Sequence, residues 1–537
     1  MKSINKFLSI GLSALALAAC NDLDQEIQGG YATTDQKTDL TEEFPEKLIA
    51  AVAGTTAVLN QYNAVYAYHF DFGYPSVMLA LDSRGMDLVG TNSGYNWFSW
   101  ANDMSDATIT GRGTNLVWSY MYSQIYAANT LLKTTGNESD DATMKFYIAQ
   151  AKAIRAFDYW VLAQLYQFNY VGHESQPCVP IITDLNVDEI SAVGGAKRAS
   201  VQDVYTQIMT DLNDAIDYLS AAQSAKVTPS SVLASKSKRL VSLATAYGLR
   251  ARANLSMGKY LEAANDAQSA INAFDGAPAS IEDVSKPCFW SIDENNWMWG
   301  IAINETDRVV TSGIVNWPSH MGSLCDNSYA QVGAWRMIAK NLYDQIPTKD
   351  ARKGWWLSSS KKSANLTEEQ QAYCKDSDMP AYTQVKFAPY QNQLANDLKG
   401  QDIPLMRIEE MYLIKAEGQA MGGDPEGAKK TLQQFVKAYR FKSYSCTATT
   451  PTAIQDEVWF QRRIELWGEG MSYFDIMRLK KPVDRRGGGW PANWVYNVPA
   501  ESNVLRYPIP NSEIQANPMI SEADNNPSSE MPSPVVE

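Results

Sequence analysis

The hydrophobic pattern of the chain predicts a body built mainly of helices. From residue 204 onward, apolar residues recur with the period of about 3.6 residues that marks one helix face, while aspartates occupy other positions. These apolar residues are Val204, Ile208, Leu212, Ala215, Ile216 and Leu219. We expect an amphipathic helix packed on one side here. Residues 143–167 are richer in apolar side chains, which predicts a longer helix contacted on several faces.

The same periodicity predicts two helical hairpins. In the first, residues 240–257 and 260–274 flank a turn at Gly258; in the second, residues 408–421 and 426–440 flank a Gly-Gly-Asp-Pro break. Small residues recur where the paired helices must approach closely. This plan resembles the tetratricopeptide repeat, degenerate and interrupted by insertions, with chance similarity between two generic hairpins as the alternative. In either case the predicted fold class is mainly α.

Between residues 278 and 400 the periodicity disappears. Seven of the 15 tryptophans lie there, among Gly, Ser, Asn and Pro. The segment is far longer than an ordinary connection, and long loops held on a rigid scaffold usually carry function. We expect a long, irregular, loop-rich subdomain mounted on the helical scaffold.

The N-terminal residues predict export and lipid anchoring. Lys2 and Lys6 precede an apolar run over residues 7–19 that would rise about 20 Å as a helix, too short for the roughly 30 Å hydrocarbon layer. The run ends in Leu-Ala-Ala-Cys20, which resembles a bacterial lipobox and predicts lipidation of Cys20; an ordinary cleaved signal with an incidental cysteine is the alternative. The acidic residues that follow resemble the surface-export signal of Bacteroidetes lipoproteins.

The composition of the chain limits the kinds of molecule that it can bind. With 46 Lys and Arg against 60 Asp and Glu, the net charge is −14, so the chain has no basic surplus with which to follow a nucleic-acid backbone. Trp and Tyr, which combine an apolar ring with a polar edge, outnumber Phe strongly and suit a wet binding surface. Five cysteines follow Cys20, an odd number, so at least one is unpaired within the chain; we expect buried free thiols, with one or two disulfides left open.

No catalytic, cofactor or metal motif is complete. Asp184, Asn186 and Asp188 imitate the start of a calcium loop, but the turn glycine and the final bidentate acid of such a loop are missing. The three histidines, His69, His173 and His320, are scattered, and we expect them to be structural or solvated. We predict neither a cofactor nor a metal ion. A pair of carboxylates for glycoside hydrolysis stays open, because 60 acidic residues always offer candidates.

Four segments carry a resemblance to the SusD/RagB family. Residues 462–478 are similar to its "RR-x-EL-x-x-EG-x-x-x-x-D-x-x-R" segment, and residues 507–518 to its closing "PIP…E…NP" element. Residues 411–417 resemble its "YLI-x-AE" helix and residues 151–166 its "A-x-x-RAF-x-Y" helix. Residues 178–182 depart from the usual "G-x-VPL" return. With the lipobox, the likeness covers nearly the whole mature chain and is weakest at residues 278–400.

These motifs predict structural roles before functional ones. Glu465 and Glu469 are four residues apart on a predicted helix, with Arg462 just before them, which favours an Arg/Glu ladder that fixes this helix to a neighbour. Two prolines stiffen residues 507–510, which we expect to lie extended across a surface.

The resemblance implies a surface lipoprotein that captures a nutrient, typically a glycan, and delivers it to a SusC-like TonB-dependent barrel without transforming it. Its family fold is a tetratricopeptide-like helical scaffold that supports an irregular loop domain. Two alternatives stay open: the same role with peptide cargo, and a lipid-anchored hydrolase that uses an unrecognised carboxylate pair. The implied location is the outer membrane, to which the lipid on Cys20 would hold the protein.

The predicted ligand loop covers residues 82–100. Family members often place a ligand-contacting Trp and polar partners in the corresponding early loop, so the resemblance favours Trp97, with Asp82, Arg84 and Asn96 as hydrogen-bonding partners. The alternative is that Trp97 and Trp100, three residues apart, only close the base of their own loop. Trp317, before a proline, is the next candidate. The predicted ligand-binding residues are Trp97, Asp82, Arg84, Asn96, Trp100 and Trp317.

The remaining tryptophans of interest, Trp290, Trp297 and Trp299, favour a core position because they alternate as in a strand. The predicted organisation divides the chain into five parts. They are a signal peptide (1–19), a lipid-anchored lead-in (20–45), a first scaffold part with the ligand loop (46–277), the loop-rich subdomain (278–400) and a second scaffold part with the C-terminal motifs (401–537).

Overall fold

The computed structural model of the chain describes residues 48–536. The predicted signal peptide and the lipidation position Cys20 lie outside the described residues. None of the helices within residues 48–536 combines the length and the apolar character needed to cross a membrane.

Helices dominate the described residues, which confirms the mainly α fold class. The longer ones, labelled in chain order, are α1 (Ile49–Ala57), α2 (Tyr74–Arg84), α3 (Arg112–Thr135), α4 (Ala142–Leu165), α5 (Val187–Val193), α6 (Val201–Ser224), α7 (Leu243–Ser256), α8 (Tyr260–Ala273), α9 (Glu368–Asp376), α10 (Ile408–Met421), α11 (Pro425–Tyr439), α12 (Pro451–Glu465) and α13 (Ser472–Arg478). Short helices cover Ser99–Asn102, Pro229–Val232, Ile281–Val284, Arg308–Thr311, Trp317–Met321, Lys340–Gln345 and Asn511–Ala516.

The predicted amphipathic helix is α6, and all six residues of its apolar stripe are buried. It begins at Val201, before the first residue of the predicted stripe, because the hydroxyl of Ser200 accepts a hydrogen bond from the backbone N–H of Asp203 and caps the first turn. Helix α4, predicted to be contacted on several faces, is buried from Phe146 to its end, since it packs between α3 and α6. Both expectations are confirmed.

The two predicted hairpins are α7 with α8 and α10 with α11, and α8 packs against α10 so that they stack side by side. The first hairpin turns at Gly258, whose φ of +69° favours glycine. At the stacking interface a Cβ on Gly418 would lie 2.5 Å from the carbonyl oxygen of Tyr260, so only glycine lets the two helices approach this closely. The array α3, α4, α6, α7, α8, α10, α11 forms the scaffold.

Three small antiparallel ladders tie the irregular segments to this scaffold. Strands β1 (Leu88–Gly90) and β3 (Arg336–Ile338) pair, as do β2 (Trp297–Ile301) and β4 (Ile403–Arg407), and β5 (Val483–Asp484) pairs with β6 (Asn497–Val498). Strand β4 leads directly into α10. Trp297 and Trp299 on β2 are fully buried, which confirms their core position, whereas Trp290 is partly exposed. The part boundaries predicted from the sequence stay predictions.

A cluster of buried charges joins the loop-rich segment to the second scaffold part. It contains four positive and four negative groups, and we call it the buried ion cluster. Its members are Asp350, Arg352, Lys386, Arg407, Glu409, Arg440, Glu465 and Glu469. The carboxylate of Glu465 accepts hydrogen bonds from three of the guanidiniums at 2.7–3.2 Å. The Arg/Glu pattern of the C-terminal motif therefore has a structural role, as predicted.

One detail of that prediction is wrong, because Glu469 does not lie on a helix. Helix α12 ends at Glu465, and Gly468 and Gly470 then adopt φ values of +78° and +74°, a conformation that stops a right-handed helix. The turn aims the Glu469 carboxylate back at Arg407 and Lys386, at 2.8 and 2.6 Å. Burial opposes ionisation of Glu465, but Arg440 and Arg407 outweigh it and hold the pKa of this carboxyl well below its usual range.

The Tyr507–Pro510 segment is extended, as predicted. The prediction that it lies across a surface is wrong. All four residues are buried. The backbone N–H of Tyr507 donates to the carbonyl of Leu165 at 2.7 Å, and the Tyr507 hydroxyl donates to Asp106 at 2.8 Å. The segment threads between α3 and the end of α4 because its two prolines leave few backbone N–H groups that need a partner.

All five cysteines within residues 48–536 are free and buried, which confirms the expectation of buried thiols.

Candidate ligand-binding surface

Aromatic side chains from three separate segments meet at the surface beside the predicted ligand loop. We call this group the aromatic cluster; its members are Tyr66, Tyr68, His69, Phe70, Trp97 and Tyr329. Tyr68 is 47% exposed, Trp97 is partly exposed, and Phe70 and Tyr329 are buried beneath them. Tyr95, on the ligand loop next to Trp97, is 53% exposed. The cluster thus offers ring faces to solvent above a buried base.

Trp97 is held by its neighbours rather than by its own loop alone. Its indole stacks on the His69 imidazole with ring centroids 4.5 Å apart and planes 14° from parallel. The ring of Tyr68 lies 6.4 Å from Trp97, and the Tyr329 ring meets it edge-on at the same distance. The hydroxyl of Tyr329 is bonded to Nδ1 of His69. Contacts of this kind fix an aromatic side chain in one orientation without covering both of its faces.

Beneath Trp97 the stacking continues into the interior. His320 stacks on Tyr329 at 4.6 Å and on Phe72 at 5.4 Å, and its Nε2 is hydrogen-bonded to the carbonyl of His69 at 2.9 Å. Burial lowers the pKa of His320 to about 3, so this imidazole is neutral at neutral pH. A column of rings therefore connects the surface to the core. His69 and His320 are structural, as expected.

The ligand loop itself is fixed by two buried arginines, Arg485 and Arg336. Arg485 donates to the carbonyls of Ser83, Arg84 and Gly85, where α2 ends, at 2.9–3.1 Å, and its guanidinium lies 3.9 Å from the centre of the Trp490 ring. These carbonyls have no partner within the helix, so the cation completes the helix end. The loop tip is tied at Thr91, whose hydroxyl donates to the carbonyl of Gly333.

Asn96 lies inside the loop instead of facing a ligand, which corrects its predicted role. Its amide nitrogen donates to the carbonyl of Thr91 and to Oδ1 of Asn102, at 2.9 and 2.8 Å, and its oxygen accepts from Arg336 at 3.1 Å. Arg336 is fully buried and has no carboxylate partner within residues 48–536, so burial lowers its pKa to about 9. Asn96 is therefore consumed in holding the loop closed beneath Trp97.

Asp82 and Arg84 are also corrected, because both belong to the interior. They lie in the last turn of α2, and their exposed fractions are 3% and 0%. Arg84 pairs with Asp106 and donates to the carbonyl of Val504 at 2.5 Å, which secures the segment leading to Tyr507. Asp82 accepts from the backbone N–H of Gly470 at 2.9 Å, and burial raises the pKa of its carboxyl to about 8. Both hold the C-terminal motifs against α2.

Trp100 and Trp317 complete the corrections. Trp100 is 5% exposed and packs edge-on against Phe70 at 5.4 Å, so it forms part of the base of the aromatic cluster. Trp317 is 3% exposed and meets the ring of Phe387 edge-on at 4.7 Å. Neither indole face is open to solvent. Of the six residues predicted for binding, Trp97 alone reaches the surface.

Tyr68, Tyr95 and Arg112, which were not predicted as binding residues, contribute surface beside Trp97. Arg112 is exposed at the start of α3, with its guanidinium 5.6 Å from the centre of the Tyr68 ring. The sequence did contain a sign of the segment that holds Tyr68, because aromatic residues occupy every second position from 66 to 74. Side chains two positions apart lie on the same side of an extended segment, so this spacing indicates a row of rings that can pack together, as Tyr68 stacks on Phe70. For Arg112 and for the pairing of Tyr329 with His69, the sequence held no local sign.

Within residues 48–536, no group of three or more His, Cys, Asp or Glu side chains is arranged to hold a metal ion.

The chain is similar to two family models that together span most of its length. Residues 348–527 match the model described as the SusD family, and residues 40–240 match a model described as starch-binding associating with outer membrane. SusD-like protein P2 of Formosa agariphila is 23% identical over 502 residues, which cover 87% of this chain and 89% of that protein.

Solved structures share the fold. A SusD-like carbohydrate binding protein from Bacteroides vulgatus superposes with a TM-score of 0.70 at 23% identity, covering 89% of this chain and 97% of that one. A SusD superfamily protein from Bacteroides thetaiotaomicron gives a TM-score of 0.69 at 21% identity, covering 90% and 99%. The matched segments include the C-terminal motifs around the buried ion cluster and the N-terminal part that carries the ligand loop. This chain is a member of the SusD family.

Proposed function

We propose that this protein binds an oligosaccharide at the aromatic cluster without transforming it. The observation that carries the proposal is the pair of rings that reach solvent, the partly exposed Trp97 and the exposed Tyr68, held over a buried base and flanked by Arg112. Membership of the SusD family, with a matching model described as starch-binding, points in the same direction and to a binding protein rather than an enzyme.

The chemistry of a sugar ring suits this surface. A pyranose presents a flat face of C–H groups and a rim of hydroxyls, so it stacks on an aromatic face and bonds to polar groups at the edge. Here Trp97 and Tyr68 supply the faces, while the Tyr68 hydroxyl and the Arg112 guanidinium supply polar groups. Because Trp97 is already fixed by His69, little side-chain freedom is lost when a ligand binds.

The expected affinity is modest. Two or three aromatic contacts at about 1 kcal/mol each, with three or four hydrogen bonds at about 1 kcal/mol each, total roughly 5–7 kcal/mol. That corresponds to a Kd of about 0.1 mM to 10 μM. Binding in this range suits a protein that passes its cargo on.

We further propose that the protein lies at the outer membrane and works with a transporter there. Lipid on Cys20 would anchor the protein to the outer membrane, in line with the family description of association with that membrane. From there it would deliver the oligosaccharide to a SusC-like TonB-dependent barrel. Co-purification of such a barrel with the affinity-tagged, lipidated protein tests the partnership, and mass spectrometry of the N-terminal peptide tests the lipid.

The test of the site compares two tryptophans. Trp97→Ala should weaken binding of a positive oligosaccharide from a glycan array at least about tenfold, because it removes the central aromatic face. Trp459→Ala is the matched control: Trp459 on α12 is also partly buried, but its ring is contacted by Arg463 and by Lys481, which follows α13, instead of facing the cluster. Affinities come from isothermal titration calorimetry.

Unchanged affinity in Trp97→Ala would remove the aromatic cluster from the binding site. The same array work, extended to peptide mixtures, separates oligosaccharide from peptide cargo. Prolonged incubation with a bound oligosaccharide addresses hydrolysis, because recovery of shortened products would contradict a purely binding role.

A further inference from the structure

A cleft of about 630 Å³ lies between the C-terminal segment and the connection that follows α4. Its lining includes Gln167, Gln176, Arg198, Arg506 and Asn526. None of these residues belongs to the aromatic cluster. The volume falls within the range of small-molecule sites, roughly 300–1,000 Å³.

Arg198 is one of two arginines in the cleft, and its hydrogen bonds go to uncharged acceptors. Its Nε donates to the carbonyl of Cys178 at 2.8 Å, and its Nη1 to the carbonyl of Asp524 at 2.6 Å. Its Nη2 donates to the carbonyl of Pro177 at 2.7 Å and to the amide oxygen of Asn526 at 3.0 Å. These contacts hold the guanidinium rigidly, but they leave its positive charge without an ionised partner.

Arg506 is fixed and unpaired in the same way. It donates to the amide oxygens of Gln167 and Asn503, and its guanidinium lies 4.4 Å from the centre of the Phe168 ring. These bonds use two of its five N–H donors. Its Nε is enclosed and has no hydrogen-bond partner. Within residues 48–536, no carboxylate lies within 4.0 Å of the charged nitrogens of Arg506 or Arg198.

The charge around the cleft is predominantly positive. Lys197, which is exposed, adds a third cation, and Asp524 is the single acidic residue of the lining. The carboxylate of Asp524 is already bonded by the hydroxyl of Ser521 at 2.7 Å. In a chain with a net charge of −14, where most arginines pair with carboxylates, such a positive concave site is unusual.

Burial lowers the pKa of both Arg198 and Arg506, and the nearby charge of Arg506 lowers the pKa of Arg198 further. An anion in the cleft would relieve this unfavourable electrostatic environment. The exposed amide group of Gln176 adds neutral hydrogen-bonding capacity beside the cations, as expected for a site that holds a polar organic molecule.

We propose that this cleft binds a small organic anion, in which a carboxylate, sulfate or phosphate group contacts Arg506 and Lys197 while Arg198 contributes positive potential. The site is separate from the aromatic cluster and does not depend on the function proposed for that surface. Arginine recognises oxyanions through paired N–H donors, and Arg506 keeps two Nη donors unused besides its enclosed Nε.

Titration calorimetry at low salt tests the proposal with four probes: glucuronate, glucose 6-sulfate, glucose 6-phosphate and neutral glucose. We expect saturable binding of at least one charged probe, no binding of glucose, and weaker binding as sodium chloride is raised. Comparison of the three charged probes identifies which oxyanion the cleft prefers. Arg506→Gln should weaken that binding about tenfold, because it removes a charge-assisted contact.

Two further variants keep the test decisive. Lys197→Gln changes an exposed side chain, cannot disturb the core, and should weaken binding about threefold. Arg486→Gln removes the same charge at an exposed position paired with Asp484, outside the cleft, and should leave binding unchanged. Trp97→Ala should also leave it unchanged. Absence of saturable binding for every charged probe, or equal affinity in Arg506→Gln, Lys197→Gln and Arg486→Gln, would overturn the proposal.

Discussion

The buried ion cluster and the aromatic cluster differ in how much of each is open to solvent. In the ion cluster, Glu465 is fully enclosed, and every charge except that of Asp350 meets an opposite charge from another segment. In the aromatic cluster, Tyr68 and Trp97 are supported from beneath and left open above. The first arrangement fixes the loop-rich segment to the helices, and the second leaves faces for a ligand.

The difference shows that the residues that identify the family are not the residues that we expect to contact a ligand. The motif residues that marked the family, Glu465, Glu469 and Arg462, all lie in the interior. Arg462 donates to Asp475 at 2.7 Å, another motif position, so these residues recognise one another. A protein can vary its exposed rings without disturbing such a core, which allows one scaffold to serve different ligands.

The largest expected effect comes from breaking the buried ion cluster. Glu465→Gln leaves three guanidiniums around an uncharged amide, so we expect the free energy of unfolding to fall by about 3–5 kcal/mol. Urea denaturation followed by tryptophan fluorescence measures it. Asp378→Asn is the control, since that exposed carboxylate pairs with Lys361 and its replacement should change the free energy of unfolding only slightly. A similar small loss in both variants would mean that the cluster does not hold the segments together.

The second effect concerns Asp82 and depends on pH. Its folded-state pKa of about 8 exceeds the ordinary value of 3.8, so the protonated carboxyl favours folding at low pH and this contribution is lost as pH rises toward 8. Asp82→Asn cannot ionise, and its amide oxygen can still accept from Gly470. Its stability relative to the unchanged protein should therefore grow by about 3–4 kcal/mol between about pH 5 and pH 8. A pH-independent difference between the two unfolding curves would contradict the assignment.

Asp82→Asn also sharpens the comparison on the binding side. Because Asp82 lies in the interior, oligosaccharide affinity should not change in this variant. If the folded Asp82→Asn variant bound the oligosaccharide more weakly than the unchanged protein, Asp82 would belong to the binding site.

The third effect probes the open face of the aromatic cluster. Tyr68→Ala should weaken oligosaccharide binding about three- to tenfold, since it removes one aromatic face and a hydroxyl, with little change in stability. Tyr126→Ala, at a position 70% exposed on α3, is the matched control. Calorimetry with the oligosaccharide that binds Trp97 provides the measurement; equal affinities in the two variants would restrict the site to Trp97.

The smallest effect on binding is expected for the buried tryptophans. Trp317→Phe keeps an aromatic ring against Phe387 and should leave affinity within about twofold, while lowering the free energy of unfolding by about 1 kcal/mol. Trp100→Phe should behave in the same way. A tenfold loss of affinity in either variant, with stability intact, would show that the ligand reaches beneath the surface rings.

Much of the fold was predictable from local sequence. The period of the stripe from Val204 to Leu219 predicted α6, and the Gly258 turn predicted the first hairpin, because both depend on residues near one another in the chain. The structural role of Arg462, Glu465 and Glu469 in the C-terminal motif was also predictable, from the spacing of Arg and Glu. Its partners, among them Arg352 and Lys386, were not, since they come from more than 75 residues away.

The candidate site was predictable only in part, for the same reason. The sequence by itself determined that the chain is mainly helical, that its irregular segment is rich in tryptophan, and that an early loop carries Trp97. Burial decides which of several Trp, Asp and Arg side chains can meet a ligand, and burial is a property of the packed chain. Tertiary structure alone placed Arg84 and Asn96 inside, and brought His69 and Tyr329 to Trp97 from segments remote in sequence.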